Sequence, residues 1–278
     1  MKEISVEDLL IDDHDCIGII GGMSPQSTVT YYQTIINLHY AKFDVHSYPR
    51  IVIGSIPFQP IADLAHEGDW DSIAEFVQDE GDALAAAGAD FLIISANTIH
   101  RVLPGLAFSR PLLTVYDAVK GAADDTGCRS LGLTGTSFTM ADGFYRDALE
   151  ERGLEVILPT ASDQDVIHQI IYEELVRGEI VPESVRKFGE IGERLIEAGA
   201  EKVLLGCTEL EMLTRDGTIT VPFMDTAYTH AKAAWEQATG QTSYKLVETD
   251  GTDHGERETG DSDNGMREPV ASDSDGVA

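Results

Sequence analysis

Two stretches of the 278-residue sequence carry polar and reactive groups at the same spacing behind similar apolar runs: Ala87-Gly-Ala-Asp-Phe-Leu-Ile-Ile-Ser-Ala-Asn-Thr98 and Ala198-Gly-Ala-Glu-Lys-Val-Leu-Leu-Gly-Cys-Thr-Glu209. In this register Cys207 stands opposite Ala96. A thiol beside a helix start has its thiolate stabilised and can act as base or nucleophile, and Thr208-Glu209 is a place for a helix to begin. The other reading of Cys207 is a small buried side chain. Asn97, Thr98 and His100 follow the first run, where short polar groups either orient a carboxylate or cap a helix, and His100 is either a base or a satisfied surface ring. Arg50 heads another apolar run and can grip a carboxylate bidentately or form an exposed ion pair. Cys16 and Cys128 read as structural thiols: three cysteines at wide spacing form neither a disulfide framework nor a zinc site.

These groups need elements to position them. Cys16-Ile-Gly-Ile-Ile20 reads as a strand that breaks at Gly21-Gly22, and Ser24, Ser27 and Thr28 supply helix-start chemistry before the helical spacing around Tyr31-Tyr32. Arg50-Ile-Val-Ile-Gly54 is a second strand, followed by a loop near Pro57 and Pro60, a helix over 68–87 and a third strand from Phe91. Strands apolar on both faces, alternating with helices, predict a parallel sheet covered on both sides. The plan then repeats. Ser130-Leu-Gly-Leu-Thr-Gly135 matches the first glycine turn, helices are expected over 142–153 and 164–178, and residues 184–198 lead into Val203-Leu-Leu-Gly-Cys207, which closes the second unit.

The prediction is an α/β protein of two pseudo-symmetric domains, each a mainly parallel sheet with helices on both faces. The first spans 15–115 plus a returning helix at about 224–240, and the second spans 116–223. Ligands bind beyond the carboxyl ends of strands in such sheets, which places the active site in the cleft between the domains. Helix starts after Gly22 and Gly135 offer amides to a carboxylate or phosphate. Gly18-x-x-Gly21-Gly22 is not the dinucleotide pattern, and no phosphate-loop lysine is present.

A formal net charge of -30, from 49 acidic and 19 basic residues, argues against nucleic acid and anionic membrane surfaces as partners. Ten acids and two arginines lie from Glu248 onward, so most of the charge belongs to the folded body. Self-repulsion of this size is tolerable under strong screening and reads as adaptation to a high-salt cytoplasm. Residues 1–14 form a polar leader without the apolar core of a signal peptide, and no run of 18 apolar residues occurs, so the protein is expected in the cytoplasm. Residues 246–278 are rich in Gly, Ser, Asp and Glu and are expected to be a disordered acidic tail.

Ile17-Gly-Ile-Ile-Gly-Gly-Met-Ser24, Ser27-Thr28, Tyr31-Tyr32, Asn97-Thr98-Ile-His100, Gly135-Thr136, Phe138-Thr139-Met140, Ile170-Ile-Tyr-Glu-Glu174, Gly206-Cys-Thr-Glu209 and Asp225-Thr226 together resemble the aspartate/glutamate racemase family, in order over about residues 16–238. The likeness is greatest to its broad-specificity amino-acid racemase branch. The resemblance implies a homodimer of two-domain chains, a small-molecule substrate in the cleft, no pyridoxal phosphate, no metal, and two facing cysteines that remove and return the α-proton. It makes Cys207 the catalytic cysteine of the second domain. It places Met23, Ser24, Asn97, Thr98, Thr136, Thr139 and Thr208 against substrate, with Arg50 gripping a side-chain acid, and Ser95, Ala96 and Glu209 complete the expected contacts. The sequence departs from the pattern at Ala96, where the first cysteine is expected, and at Val166, near an expected lysine. A lone thiol serves one face, so a replacement acid such as Ser95, His100 or a water is needed for two-way exchange.

The expected reaction is cofactor-independent racemisation of an acidic amino acid or a close relative through Cys207. The alternatives are a single-cysteine decarboxylase or diacid isomerase of the same superfamily, and a catalytically silent relative that binds small carboxylates.

Overall fold

A computed structural model describes residues 14–43 and 47–249. The polar leader over 1–13 and the acidic stretch over 250–278 lie outside the described residues. The chain forms two wholly parallel sheets. In the first, β1 (Ile17–Gly21) lies between β2 (Ile51–Ser55) and β3 (Phe91–Ile94); in the second, β4 (Ser130–Thr134) lies between β5 (Glu155–Ile157) and β6 (Lys202–Leu205), and β7 (Phe223–Asp225) adds to β6. Each half therefore starts on a central strand, steps to one edge and returns to the other side. β1, β3 and β4 are buried along their whole length, as expected for strands covered on both faces.

The helices are α1 (Pro25–Phe43), α2 (Phe58–Glu67), α3 (Trp70–Ala86), α4 (Val115–Thr126), α5 (Ser137–Ala141), α6 (Phe144–Glu150), α7 (Ala161–Gln169), α8 (Pro182–Glu197) and α9 (Thr226–Ala238). Short 3-10 segments follow the two repeated strands, over Thr98–Gly105 and Thr208–Leu213. Four apolar layers result: α2 and α3 cover one face of the first sheet, α1 and α9 the other, α7 and α8 one face of the second sheet, and α4 and α6 its opposite face.

Two helices cross between the halves. Leu112 bridges Leu92 in parallel just before α4, as β7 pairs with β6 just before α9. The helix that leaves the first sheet, α4, packs Val115, Tyr116 and Val119 beneath the second, and α9 packs Ala227, Ala231 and Trp235 beneath the first. Both starts are capped by side chains, Thr114 accepting from the Asp117 amide and Asp225 from those of Ala227 and Tyr228.

The structure revises several sequence expectations. The segment around Pro57 and Pro60 is the helix α2 rather than a loop, because a proline in the first turn removes only an amide that has no helical partner there. The helix expected over 164–178 is α7 only to Gln169 and widens to a π turn over Ile170–Glu174. Residues 246–249, assigned by composition to the acidic tail, instead pair with the first domain. Val247 exchanges both backbone hydrogen bonds with Leu112 at 2.8 and 2.9 Å, and Leu246 adds its side chain to the α1/α9 layer.

Candidate active site

The carboxyl ends of β1, β3, β4 and β6 are where residues of the two domains meet. β6 delivers Gly206 and Cys207 there. A Cβ at Gly206 would lie 2.4 Å from the Thr134 carbonyl oxygen, so only glycine lets β6 leave the sheet this close to β4. Cys207 then sits in extended backbone before the 3-10 segment. Its Sγ donates to Glu209 Oε2 at 3.0 Å, and Thr208 Oγ1 donates to the same oxygen at 2.8 Å. From the first domain, Ser24 Oγ reaches Glu209 Oε1 at 3.3 Å. Ser24 is held by the start of α1, where its hydroxyl also accepts from the Ser27 amide. One carboxylate thus collects a thiol and two hydroxyls from both halves of the chain.

Burial and the Glu209 charge push the Cys207 thiol well above its ordinary range, against a smaller opposing effect of the Thr208 and Glu209 amides. This corrects the expectation that a helix start would favour the thiolate: one short 3-10 segment supplies two amides, and an adjacent carboxylate in a low-dielectric setting outweighs them. The resting sulfur is a proton donor.

The equivalent position after β3 is Ala96, whose carbonyl accepts from His100 Nδ1 at 3.0 Å. His100 Nε2 accepts from the Val115 amide at 3.1 Å, which fixes the neutral tautomer. Burial, reinforced by nearby His230, lowers its pKa to about 3. The His100 ring is therefore committed to structure and cannot serve as the missing acid.

The other expected contacts divide. Thr139 packs against Gly135 and Gly206 beside the β6 exit, and Thr136 pairs hydroxyls with it at 3.3 Å. Asn97 is buried and joins the halves: its Nδ2 donates to Thr226 Oγ1 at 2.9 Å, and its Oδ1 accepts from Tyr145 at 3.1 Å. Thr98 opens the 3-10 segment after β3.

Three residues lie elsewhere. Met23 is buried in the apolar layer under α2. Ser95 is closed in behind the strands, its hydroxyl 3.1 Å from Thr28 Oγ1 and its carbonyl accepting from Ser27 at 2.5 Å, because alternation along β3 turns it from the surface Ala96 occupies. Arg50 donates to the Ala87 carbonyl at 2.9 Å at the amino end of β2, a whole strand length from Cys207. Its place before the strand, rather than after it, decides this.

Tyr172 is a neighbour that residue-type reasoning passed over. Its phenol is raised by burial and then by the nearby Cys207 and Glu209. The π turn presents it, and its ring tilts 4.5 Å from that of His168, whose Nδ1 accepts from the Ser137 amide at 3.3 Å. The sequence signal was the run Ile170–Glu174, but a π widening has no reliable signature in residue spacing. Val166, at the place of an expected lysine, packs against the second core. Among the described residues no group of three or more His, Cys, Asp or Glu is arranged to hold a metal ion, and no helix is long and apolar enough to cross a membrane.

Comparison with known proteins gives one consistent result. A family model for Asp/Glu/hydantoin racemases matches residues 20–234. The broad specificity amino-acid racemase RacX of Bacillus subtilis is 25% identical over 226 residues, covering 78% of this chain and 95% of that protein. Among solved structures, a candidate Asp/Glu racemase from Yersinia pestis is 35% identical with a TM-score of 0.73, over 81% of this chain and 99% of that one. An aspartate racemase homologue from Pyrococcus horikoshii OT3 is 32% identical with a TM-score of 0.69 over the same shares. The family-model match runs from the end of β1 into α9 and includes the Cys207–Glu209 cluster, and the chain belongs to the Asp/Glu/hydantoin racemase family.

Proposed function

We propose that the protein is a cofactor-independent amino-acid racemase of one-thiol type, with Cys207 exchanging the α-proton of a small amino-acid substrate. The observation that carries this reading is the Cys207 thiol donating to Glu209 at the domain junction. Transfer of that proton from Sγ to Oε2 yields the thiolate without bulk water. The thiolate then takes the α-proton, the electron pair moves into the substrate carboxylate as an enediolate, and donors such as Ser24 and the helix-start amides stabilise the added charge. Reprotonation by Cys207 on its own face gives exchange, and inversion needs a donor on the face where Ala96 offers none. Inversion is therefore slower than exchange. With Arg50 remote and a carboxylate, Glu209, at the centre, the side-chain hydrogen bonds described at this cluster involve no cation, which favours neutral amino acids over acidic ones as substrates.

A second reading rests on the protonated resting state of Cys207: a single-cysteine enzyme that delivers a proton to one face of an enediolate after decarboxylation. The test is incubation of a panel of L-amino acids and substituted malonates in several-molar potassium chloride, with chiral chromatography and carbon dioxide release as readouts. D-enantiomer that is lost in Cys207→Ser supports racemisation, carbon dioxide with one product enantiomer supports the second reading, and neither product with any substrate contradicts both.

A further inference from the structure

The family match stops at residue 234, within α9, and the chain continues past it along the structure to residue 249. After α9 it reverses at Gly240 and comes back beside the helix it has just left. The Tyr244 amide donates to Gln237 Oε1 at 2.8 Å and its hydroxyl to Glu236 Oε2 at 2.7 Å, both on α9. The Tyr244 ring lies on α4, where a Cβ at Gly121 would come within 2.8 Å of its Cε1. Glycine inside a helix weakens it, and here it opens the slot in which the ring sits. Two residues on, Leu246 turns its side chain into the α1/α9 layer, while Lys245 and Glu248 are exposed. Val247 exchanges both backbone hydrogen bonds with Leu112, and the Phe108 amide donates to Thr249 Oγ1 at 2.6 Å.

Residues 244–249 thus hold α9, α4 and the edge of the first sheet at once. α4 and α9 are the two helices that cross between the halves, and they also pack on each other. Any rotation of one domain against the other has to shift α4, α9 or both relative to the first sheet. Covering a sheet edge needs only the Val247–Leu112 pairing. The tyrosine slot on α4 and the two bonds to α9 serve no edge, and they fasten the crossing helices to one another. The edge contact also leads to the cleft: three residues beyond Leu112, the Val115 amide donates to His100, which holds the Ala96 carbonyl.

We propose that residues 244–249 are a strap that locks the hinge between the domains, so that the junction of Ser24, Glu209 and Cys207 opens only when the strap lets go. Glu209 bonds Ser24 of the first domain and Cys207 of the second, and a loosened hinge parts them and bares the thiol. Access to Cys207 is then governed from outside the cleft, whatever reaction the thiol serves.

Alkylation of Cys207 by iodoacetamide at fixed pH in several-molar potassium chloride, followed by mass spectrometry of the full chain, reads the junction directly. Val247→Pro removes the amide that donates to Leu112 and is expected to raise the rate several-fold with an unchanged far-ultraviolet spectrum. Tyr244→Ala leaves the backbone bonds of the strap in place and is expected to give a smaller rise, and Tyr244→Phe, which keeps the ring on Gly121, a smaller one still. Ile73→Val trims the apolar layer under α3 without touching the strap and is expected to react as the wild type does. A wild-type rate in folded Val247→Pro, or an equal rise in Ile73→Val, overturns the assignment. The wild type gives an answer that needs no variant. In a urea series, the rise in Cys207 alkylation is expected to coincide with the loss of hydrogen-exchange protection over 244–249. A strap that exchanges freely while Cys207 stays shielded, or a thiol that reacts while the strap stays protected, contradicts the proposal.

Discussion

At the residue scale the chemistry turns on Cys207 and the carboxylate it meets. Because Glu209 raises the thiol, Glu209→Gln is expected to lower its pKa, so that alkylation by iodoacetamide reaches half its limiting rate at a lower pH than in the wild type. Cys16 and Cys128 are buried, so mass spectrometry of the 207 peptide reads this without interference. An unchanged or higher midpoint would show that burial alone sets the value. The sequence pointed to Cys207, Thr208 and Ser24 because each follows a strand end, and the three side chains meet at the Glu209 carboxylate. It misplaced Arg50 for the same reason in reverse: residue type suggested a carboxylate partner, while its place before β2 put it at the far end of the sheet. Ser95 was a matter of strand parity, and Glu209 was visible but its contacts with both domains were not, since a hydrogen bond across 185 positions leaves no local trace.

At the element scale, what matters is how the two sheets are tied. Asn97 connects the β3 exit to Tyr145 on α6 and to Thr226 at the start of α9, all buried. Asn97→Ala leaves the Tyr145 hydroxyl without its partner and is expected to cost about 1–3 kcal/mol in denaturant unfolding. Gly206→Ala forces a methyl group against the Thr134 carbonyl, with an expected loss of about 1–3 kcal/mol. The buried histidines at the same junction make it sensitive to acid. Burial chiefly lowers His230 to about 4 and His100 to about 3, from an ordinary 6.5. The unfolded chain thus binds protons that the fold refuses, so this contribution is complete above pH 6.5 and is lost as pH falls toward about 4 and then about 3. The thermal midpoint should drop across that window, and a flat profile would contradict the burial of neutral rings. Element order and the duplicated plan were legible because long buried strands and glycine turns repeat. The crossing of α4 and α9 was half legible, as a returning helix only, since which sheet a helix covers depends on contacts distant in sequence.

At the scale of the whole molecule, charge and duplication set the conditions under which any chemistry is seen. The net charge of -30 predicts that the thermal midpoint rises with potassium chloride through the molar range, well beyond the concentration that screens an ordinary protein, and a midpoint insensitive to salt would remove the high-salt reading. The duplicated halves leave one thiol where symmetry has two places, Cys207 and Ala96. The most direct test of that asymmetry is proton nuclear magnetic resonance of amino-acid substrates in deuterated several-molar potassium chloride, following loss of the α-proton signal alongside chiral analysis. Exchange is expected to outpace inversion in the wild type, to be abolished in Cys207→Ser, and to be joined by faster inversion in Ala96→Cys. Exchange that survives in folded Cys207→Ser would contradict the role of Cys207.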